Sequence, residues 1–467
     1  MVTITRSLAR LLRVVLRKAG LGKSGSHQDS CVHVSADHHG LRLRVAGPEV
    51  AVEYRQQGEF AFAEFVLPVE VLAIIEGRTQ EPVTLDAADP GRLAISFSEH
   101  GVPQLLERTI NGRANQPVWP ELPTNYAENS AEFWPALRDA MATTDREPTR
   151  YALNCLQLRG RGDIAATDGH HILIQGGFTF NWADSLLIPV KPVLGCKELD
   201  TGEPVQAGLA GDWVTFAVGP WLISLKVNRT ARFPQVDDGL PQARSAKSHL
   251  TIAPTDAEFL QHSLPGLPCH DPQFEPVTLD LNGRVIIRAQ GDEKARPSEL
   301  VLSNSRFTGE PIRLNSNRQY LARAIRLGFR EVHLNSADAP VVCQDERRRY
   351  GWALLDKEGV INPSDSAIVT ASPVSSPTPT TTSKKAQTMH STNNSVVPAT
   401  SVTRRVSPST TAKSTSSLDQ AIALRDSLRT AASAAHQLVR ALKHHKRESR
   451  IVASTLASLK QLQKAAS

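Results

Sequence analysis

The sequence contains no run of about 18 consecutive apolar residues, so no membrane-spanning helix is predicted. A secretory leader is not expected either, because arginine interrupts the apolar patches near the N-terminus every few residues. Cysteine is sparse and unpaired. Cys31, Cys155, Cys196, Cys269 and Cys343 are scattered, odd in number and never form C-x-x-C. That pattern argues against a disulfide framework and predicts buried, reduced thiols in the cytoplasm. Hydrolytic motifs are missing too: there is no G-x-S-x-G, no H-E-x-x-H and no paired-carboxylate motif. Gly20-Leu21-Gly22-Lys23-Ser24 resembles the end of a phosphate loop, but Arg17 stands where the first glycine belongs, and a helix precedes it rather than a strand. The doublets His38-His39, His170-His171 and His444-His445 have no nearby Cys or E-x-x-H partner, and neighbours in a strand point to opposite faces. Neither an enzyme activity nor a metal or cofactor is expected. A nuclease using Asp168 and His170 stands as the enzymatic alternative, against the simpler reading of Asp168-Gly169 as a tight turn.

What is present is a basic start. Arg6, Arg10, Arg13 and Arg17 follow spacings of four, three and four, which on a helix share one face. Leu8, Leu11, Leu12, Val15 and Ala19 take the opposite face, so an amphipathic, basic helix is predicted over 6–19. A targeting peptide, a membrane-surface helix and a helix facing nucleic acid all have this form. Charge is unevenly spread along the chain. From Glu358 onward there are 14 Lys and Arg against 5 Asp and Glu, whereas residues 1–357 hold 39 against 42. A mildly acidic body with local basic elements differs from a uniformly basic nucleic-acid binder.

The chain divides by composition. Residues 358–416 are expected to be a disordered linker, since a stretch such as Ser372-Pro373-Val374-Ser375-Ser376-Pro377 followed by a Thr run cannot bury enough surface to offset chain entropy. Residues 417–467 are expected to be a helical tail. Ser417 with Gln420 fits a capping box, and Leu424, Leu428, Ala431, Ala435, Leu438 and Leu442 repeat at alternating fours and threes. The phase is interrupted at His445 and Ser449, so a short coiled coil and a broken helical hairpin both fit. The body alternates short strands with helices predicted at 6–19, 68–76, 131–143, 190–198, 255–264 and 316–327. The order helix, loop, two strands recurs from 6, 131 and 255, about 120 residues apart, which is too long for a solenoid and predicts tandem α+β domains.

Several residues carry a family resemblance. Ala166-Thr167-Asp168-Gly169-His170, the preceding Tyr151-Ala152-Leu153-Asn154, Arg232-Phe233-Pro234 with Leu240-Pro241, Asn315-Ser316, and Tyr350-Gly351-Trp352-Ala353-Leu354-Leu355 resemble segments of the bacterial DNA polymerase III beta subunit, the sliding clamp. The resemblance covers about residues 1–356. It implies three DNA-clamp domains, 1–115, 116–243 and 244–357, each with two helices packed on antiparallel sheets. Two chains would close head to tail into a homodimeric ring around duplex DNA, and a contact of that kind that closes makes a ring. The implied function is a processivity factor that tethers the replicative polymerase in the cytoplasm. It also implies lumen cations, held to phosphates without base readout: Arg6, Arg10, Arg13, Arg17, Lys18, Lys23, Arg138, Lys191, Lys197, Arg318 and Arg326, with Tyr151 and Arg150 as further contacts. A pocket for polymerase and clamp-loader peptides would use Thr167, Gly169, His170, His171, Ile172, Pro234, Leu354 and Leu355.

The sequence departs from the pattern at that pocket. His171 stands where clamps usually have arginine, Asp238-Gly239 replaces a basic and an apolar residue, and Ala353-Leu354-Leu355-Asp356-Lys357 replaces the usual Met-Pro-Met-Arg-Leu ending. The chain also continues past the pocket's rim. Two further expectations follow: self-docking of Gln437–Leu442 in the pocket, and a clamp-fold adaptor that recruits other partners through its tail.

Overall fold

A computed structural model describes residues 1–22, 31–89, 91–110, 118–145, 151–292 and 294–374. The chain separates into two units, 1–379 and 380–467. The second unit, with the expected helical tail and most of the linker, lies outside the described residues, as do Lys23 and Arg150.

The first unit is built from one element order run three times. The first round is β1 (Val2–Thr5), α1 (Arg6–Ala19), β2 (Cys31–Asp37), β3 (Gly40–Ala46), β4 (Val50–Gln57), β5 (Ala63–Pro68), α2 (Val69–Ile75), β6 (Pro82–Asp86), β7 (Arg92–Glu99) and β8 (Val102–Thr109). The second is β9 (Ala127–Asn129), α3 (Phe133–Met141), β10 (Cys155–Arg159), β11 (Asp163–Thr167), β12 (His171–Gln175), β13 (Ser185–Pro189), β14 (Val205–Ala210), β15 (Trp213–Val218) and β16 (Trp221–Lys226). The third is β17 (Ser248–Thr251), α4 (Pro254–Ser263), β18 (Pro276–Asn282), β19 (Arg284–Ala289), β20 (Ser298–Val301), β21 (Arg306–Gly309), β22 (Ile312–Asn317), α5 (Arg318–Arg326), β23 (Glu331–Leu334), β24 (Val341–Gln344) and β25 (Arg348–Trp352). In the second round the expected helix at 190–198 is not an α-helix. Two 3-10 turns, Pro192–Gly195 and Lys197–Leu199, stand there, because Gly195 falls in the middle of the segment and disfavours helix by about 1 kcal/mol, and Pro192 cannot donate to a turn begun before it.

Each round splits its strands between two sheets, and sheets join across rounds. The order β5-β2-β3-β4 continues through β16-β15-β14-β9, and β13-β10-β11-β12 continues through β25-β24-β23-β17-β21. Both joints are antiparallel. In the first, Trp221 pairs with Tyr54 and Leu225 with Val50; in the second, His171 pairs with Trp352 and Gln175 with Arg348. The core crosses the joints as well: one buried cluster runs from Val2 to Val227, and Leu173 of β12 belongs to the cluster of the third round.

Two smaller sheets remain, β1-β6-β7-β8 and β22-β18-β19-β20. The second is extended by β26 (Ile368–Ala371), which pairs in parallel with β20. The expected start of the linker at 358 is therefore corrected. Residues 358–374 belong to this unit, because Ile368-Val369-Thr370 is a β-branched run that finds an open sheet edge.

Helix α1 shows why the elements sit where they do. The Thr5 hydroxyl accepts the Leu8 amide at 3.1 Å and caps the start. Leu8, Ala9, Leu12, Val15, Leu16 and Ala19 are buried, each large side chain contributing about 1.5–3 kcal/mol. No described helix is long and apolar enough to cross a membrane. Leu12→Ala is expected to cost about 2–5 kcal/mol in denaturant unfolding. Arg10→Ala on the outer face is expected to stay within about 0.5 kcal/mol; equal losses would contradict this burial pattern.

Candidate nucleic-acid interface and peptide pocket

The helical segments touch one another in a row. Arg13 on α1 is ion-paired with Glu76 after α2. Lys18 on α1 reaches Glu198 at 3.0 Å, in the second 3-10 turn. Trp134 on α3 donates its indole N–H to the Cys196 carbonyl at 3.2 Å. Arg323 on α5 donates to the Asp139 carbonyl at 2.5 Å and to the Thr143 hydroxyl at 2.7 Å at the end of α3. The row is thus α2, α1, the 192–199 turns, α3 and α5.

The expected cations divide into two groups along it. Arg10, Arg17, Lys197 and Arg326 are exposed, and no ion pair holds them among the described residues. Tyr151 is also exposed, at 40%. The others are engaged. Arg138 pairs with Asp200 at 2.9 Å and Lys191 with Glu49 at 2.6 Å. Two expectations are corrected outright. Arg6 shares the helical face of Arg10 and Arg17, but it sits in the first turn, where the loop after α2 and the end of strand β7 close over it. It is 8% exposed, donates to the Glu76 carbonyl at 3.0 Å and to the Ser98 carbonyl, and lies over the Phe97 ring. Arg318 is equally buried, held by Glu275 at 2.7 Å and the Leu267 carbonyl at 2.5 Å. Both guanidiniums satisfy backbone carbonyls inside the fold and are not presented to a ligand.

Glu198 is a joint in the row. The Cys196 thiol at 3.1 Å and Lys18 at 3.0 Å both donate to its Oε2, and they hold its carboxyl down to about 2. Burial and the adjacent carboxylate push the Cys196 thiol up to about 11, so it stays protonated and unreactive.

The peptide-pocket residues form around the β11–β12 turn. The Thr167 hydroxyl donates to the His171 carbonyl at 2.7 Å and accepts the Gly169 amide at 3.0 Å. Asp168 accepts the amides of His170 and His171 at 2.8 and 2.9 Å, so Asp168-Gly169 is a closed turn. The Ala353 amide donates to the His170 carbonyl at 2.9 Å and the Leu355 amide to the Asn315 carbonyl at 3.0 Å. Leu354 packs on the third-round core. Thr167, Gly169, His170, Ile172, Leu354 and Leu355 are therefore brought together by the β12–β25 joint. The 232–241 segment crosses that joint: Arg349 donates to the Leu240 carbonyl at 3.1 Å. At Gly351 an added Cβ would lie 2.5 Å from Leu240 Cδ2 and 2.6 Å from the Val341 carbonyl, so only glycine fits. Pro234 is half-buried in the same segment.

His171 and Thr167 do not line this surface; Thr167 is 2% exposed, its hydroxyl spent inside the turn, and His171 is buried as well. It is 5% exposed, because alternation along β12 turns 171 inward when 170 and 172 face out. Its ring stacks on Tyr320 of α5 with centroids 4.6 Å apart, and Nδ1 lies 3.0 Å from the Tyr350 hydroxyl and Nε2 3.3 Å from Asp168. Asp168 thus pairs with a buried His171, not with His170. Arg323, Tyr320 and Tyr350 were not legible as parts of this arrangement; Tyr320 on the inner side of a helix is the only sequence signal. Burial opposes ionisation of Asp168, and the bonds from the His171 ring and the two amides overcome it, holding the carboxyl below its ordinary range. Burial pushes the Tyr320 phenol up to about 12.

The outer surface also has a cleft of about 710 Å³ lined by Arg42, Arg44 and Arg55. The buried Glu53 carboxylate takes both Arg44, at 2.7 Å, and Arg55. Among the described residues no group of three or more His, Cys, Asp and Glu is arranged to hold a metal ion.

No protein-family model and no curated protein matches the sequence. Solved structures do match the fold. The DNA polymerase III subunit beta from Pseudomonas aeruginosa superposes with a TM-score of 0.61 at 17% identity, covering 76% of this chain and 99% of that one. The C. crescentus beta sliding clamp gives 0.62 at 18% identity, covering 76% and 98%. The beta subunit from Thermotoga maritima gives 0.60 at 14%, covering 76% and 99%. The chain has the sliding-clamp fold of the DNA polymerase III beta subunit, with a sequence far diverged from these relatives.

Asp168→Asn is expected to lower stability by about 1–3 kcal/mol at neutral pH, since it weakens bonds to a charged acceptor. The folded-state pKa of Asp168 is depressed, so its contribution is full above the ordinary carboxyl value of about 4 and fades as pH falls through the folded value. Unfolding curves of the two proteins should therefore converge in acid. A gap that persists there would assign the loss to packing.

Proposed function

We propose that this protein is a sliding clamp: a non-catalytic ring that encircles duplex DNA and tethers a DNA polymerase. The single observation that carries the reading is the clamp fold, with Arg10, Arg17, Lys197 and Arg326 left open along one row of helices. In this reading the unit comprises three clamp domains, 1–115, 116–243 and 244–357, and two chains close the ring in the cytoplasm. Cations on helices contact phosphates without reading bases, which permits sliding. Tyr151, and Lys23 and Arg150 beside these elements in sequence, complete the contact set. The surface formed by Gly169, His170, Ile172, Pro234, Leu354 and Leu355, with Thr167 fixing the turn beneath it, takes an apolar peptide from the polymerase or its loader.

A clamp-fold adaptor is the second reading. The observations that favour it are the buried His171 and the Asp238-Gly239 segment, where Ile172 Cδ1 lies 3.0 Å from the position of a Gly239 Cβ. A pocket lined differently in this way selects different peptides. A pull-down with the replicative polymerase against the body and against the full chain separates the two readings.

Arg10→Ala with Arg17→Ala is expected to reduce the salt dependence of duplex binding by about 2 in the log–log slope, without altering any preference among sequences. Two chains closed on nicked circular duplex should stay with the circle through gel filtration in moderate salt and leave when the circle is cut. Equal retention on linear and circular DNA would refute encirclement.

A further inference from the structure

The internal joints follow one rule, and the rule leaves two strands over. In each round the first four-strand group ends, at its edge, in its third strand: β4, β12 and β20. The second group ends in its last strand: β8, β16 and β25. Inside the chain β4 meets β16 and β12 meets β25, always the third strand of one round against the last strand of the next, and always antiparallel. The unmatched strands are β20 in the third round and β8 in the first.

β8 is an open edge. Leu105 and Val102 are 67% and 55% exposed on an eight-residue strand whose other side pairs with β7. A long edge with exposed apolar residues is a template for pairing. By the rule of the other joints, its match is β20 of a second copy. β20, however, is already occupied. Residues 298–301 pair with Ile368–Ala371 of the same chain, and the pairing is parallel, unlike both joints.

The covering strand is held mainly by its backbone and by one buried clasp. The Ile368 amide donates to the Pro297 carbonyl and the Ser372 amide to the Val301 carbonyl, both at 2.9 Å. Every residue of β26 is exposed, with Ile368 and Val369 at 58% and 57%. The strand therefore adds little apolar burial. Ser372 is the exception, 3% exposed, its hydroxyl donating to Asp256 at 2.6 Å while the Ser303 amide and hydroxyl bond back to it at 2.8 and 2.9 Å.

We propose that β26 is a self-made cap on the ring-closing edge: it fills the β20 slot that β8 of a second copy would take, so two chains close only after residues 368–372 let go. The proposal deepens the clamp reading and rests on it for the meaning of closure. The clamp-fold unit carries its own competitor for assembly, and the 95 residues after Ser372 start from the point where that competitor is anchored. Anything that pulls the tail away opens the edge.

The test uses the full chain. Thr370→Pro removes an amide that the parallel alternation directs at β20, and Ser372→Ala removes the clasp while the four other donors of Asp256 remain. Thr370 is exposed and Ser372, though buried, lies outside the hydrophobic clusters, and a retained cooperative thermal transition confirms the fold. By light scattering in the micromolar range, the wild type is expected at the mass of one chain and the double variant at two. Adding Leu105→Lys on β8 should return the double variant to one chain. A wild type already at two chains, a double variant still at one, or a dimer indifferent to Leu105→Lys would each overturn the cap. A dimer gained as expected but not retained on circular duplex leaves the cap standing and removes the clamp reading.

Discussion

The constraint that organises this molecule is that a sheet edge cannot be left unpaired without cost. Every edge strand offers a row of amides and carbonyls that must find partners. The two internal joints meet this demand by running β4 into β16 and β12 into β25, so that three rounds of sequence become continuous sheets. The side chains follow. Tyr54 packs its ring edge-on against Trp221 across the first joint, with centroids 5.0 Å apart, and Tyr350 and Trp352 pack together beside the second. The candidate peptide surface exists because the second joint carries the ends of β11, β12 and β25 to one place.

Much of this was legible in the sequence, and the residues show why. The helix predicted over 6–19 is Arg6–Ala19, and those predicted over 68–76, 131–143, 255–264 and 316–327 are observed within three residues at each end. Hydrophobic spacing and local capping decide such boundaries, and both are written locally. The 190–198 segment failed because its buried Val193 and Leu194 looked helical while Pro192 and Gly195 decided otherwise. Joint pairings were invisible, since nothing local to Ile172 names Gly351 as its partner 179 residues on. β26 was hidden for another reason: four strand-forming residues inside a Ser- and Pro-rich stretch do not alter its composition.

The candidate site shows the same limit. Helical geometry placed Arg6, Arg10, Arg13 and Arg17 on one face correctly, but exposure depends on what else arrives there. The 76–77 loop and Ser98 near the end of β7 cover Arg6, and Glu76 engages Arg13. His171 was legible as an unusual residue at a position of interest. Its role, bridging Asp168, Tyr320 and Tyr350 beneath the surface, depends on an inward turn of β12 and on α5 packing behind it.

The fastenings between successive helical segments also differ in kind. Arg323, largely buried, ties α5 to the end of α3 by hydrogen bonds to a carbonyl and a hydroxyl. Lys18 and Lys191 tie the first round to the second through half-exposed carboxylates, Glu198 and Glu49. Dissolved ions screen the second kind and leave the first almost untouched. The helical contacts at the earlier seam therefore loosen as ionic strength rises, while the sheet joint and the shared core beneath them hold the two rounds together.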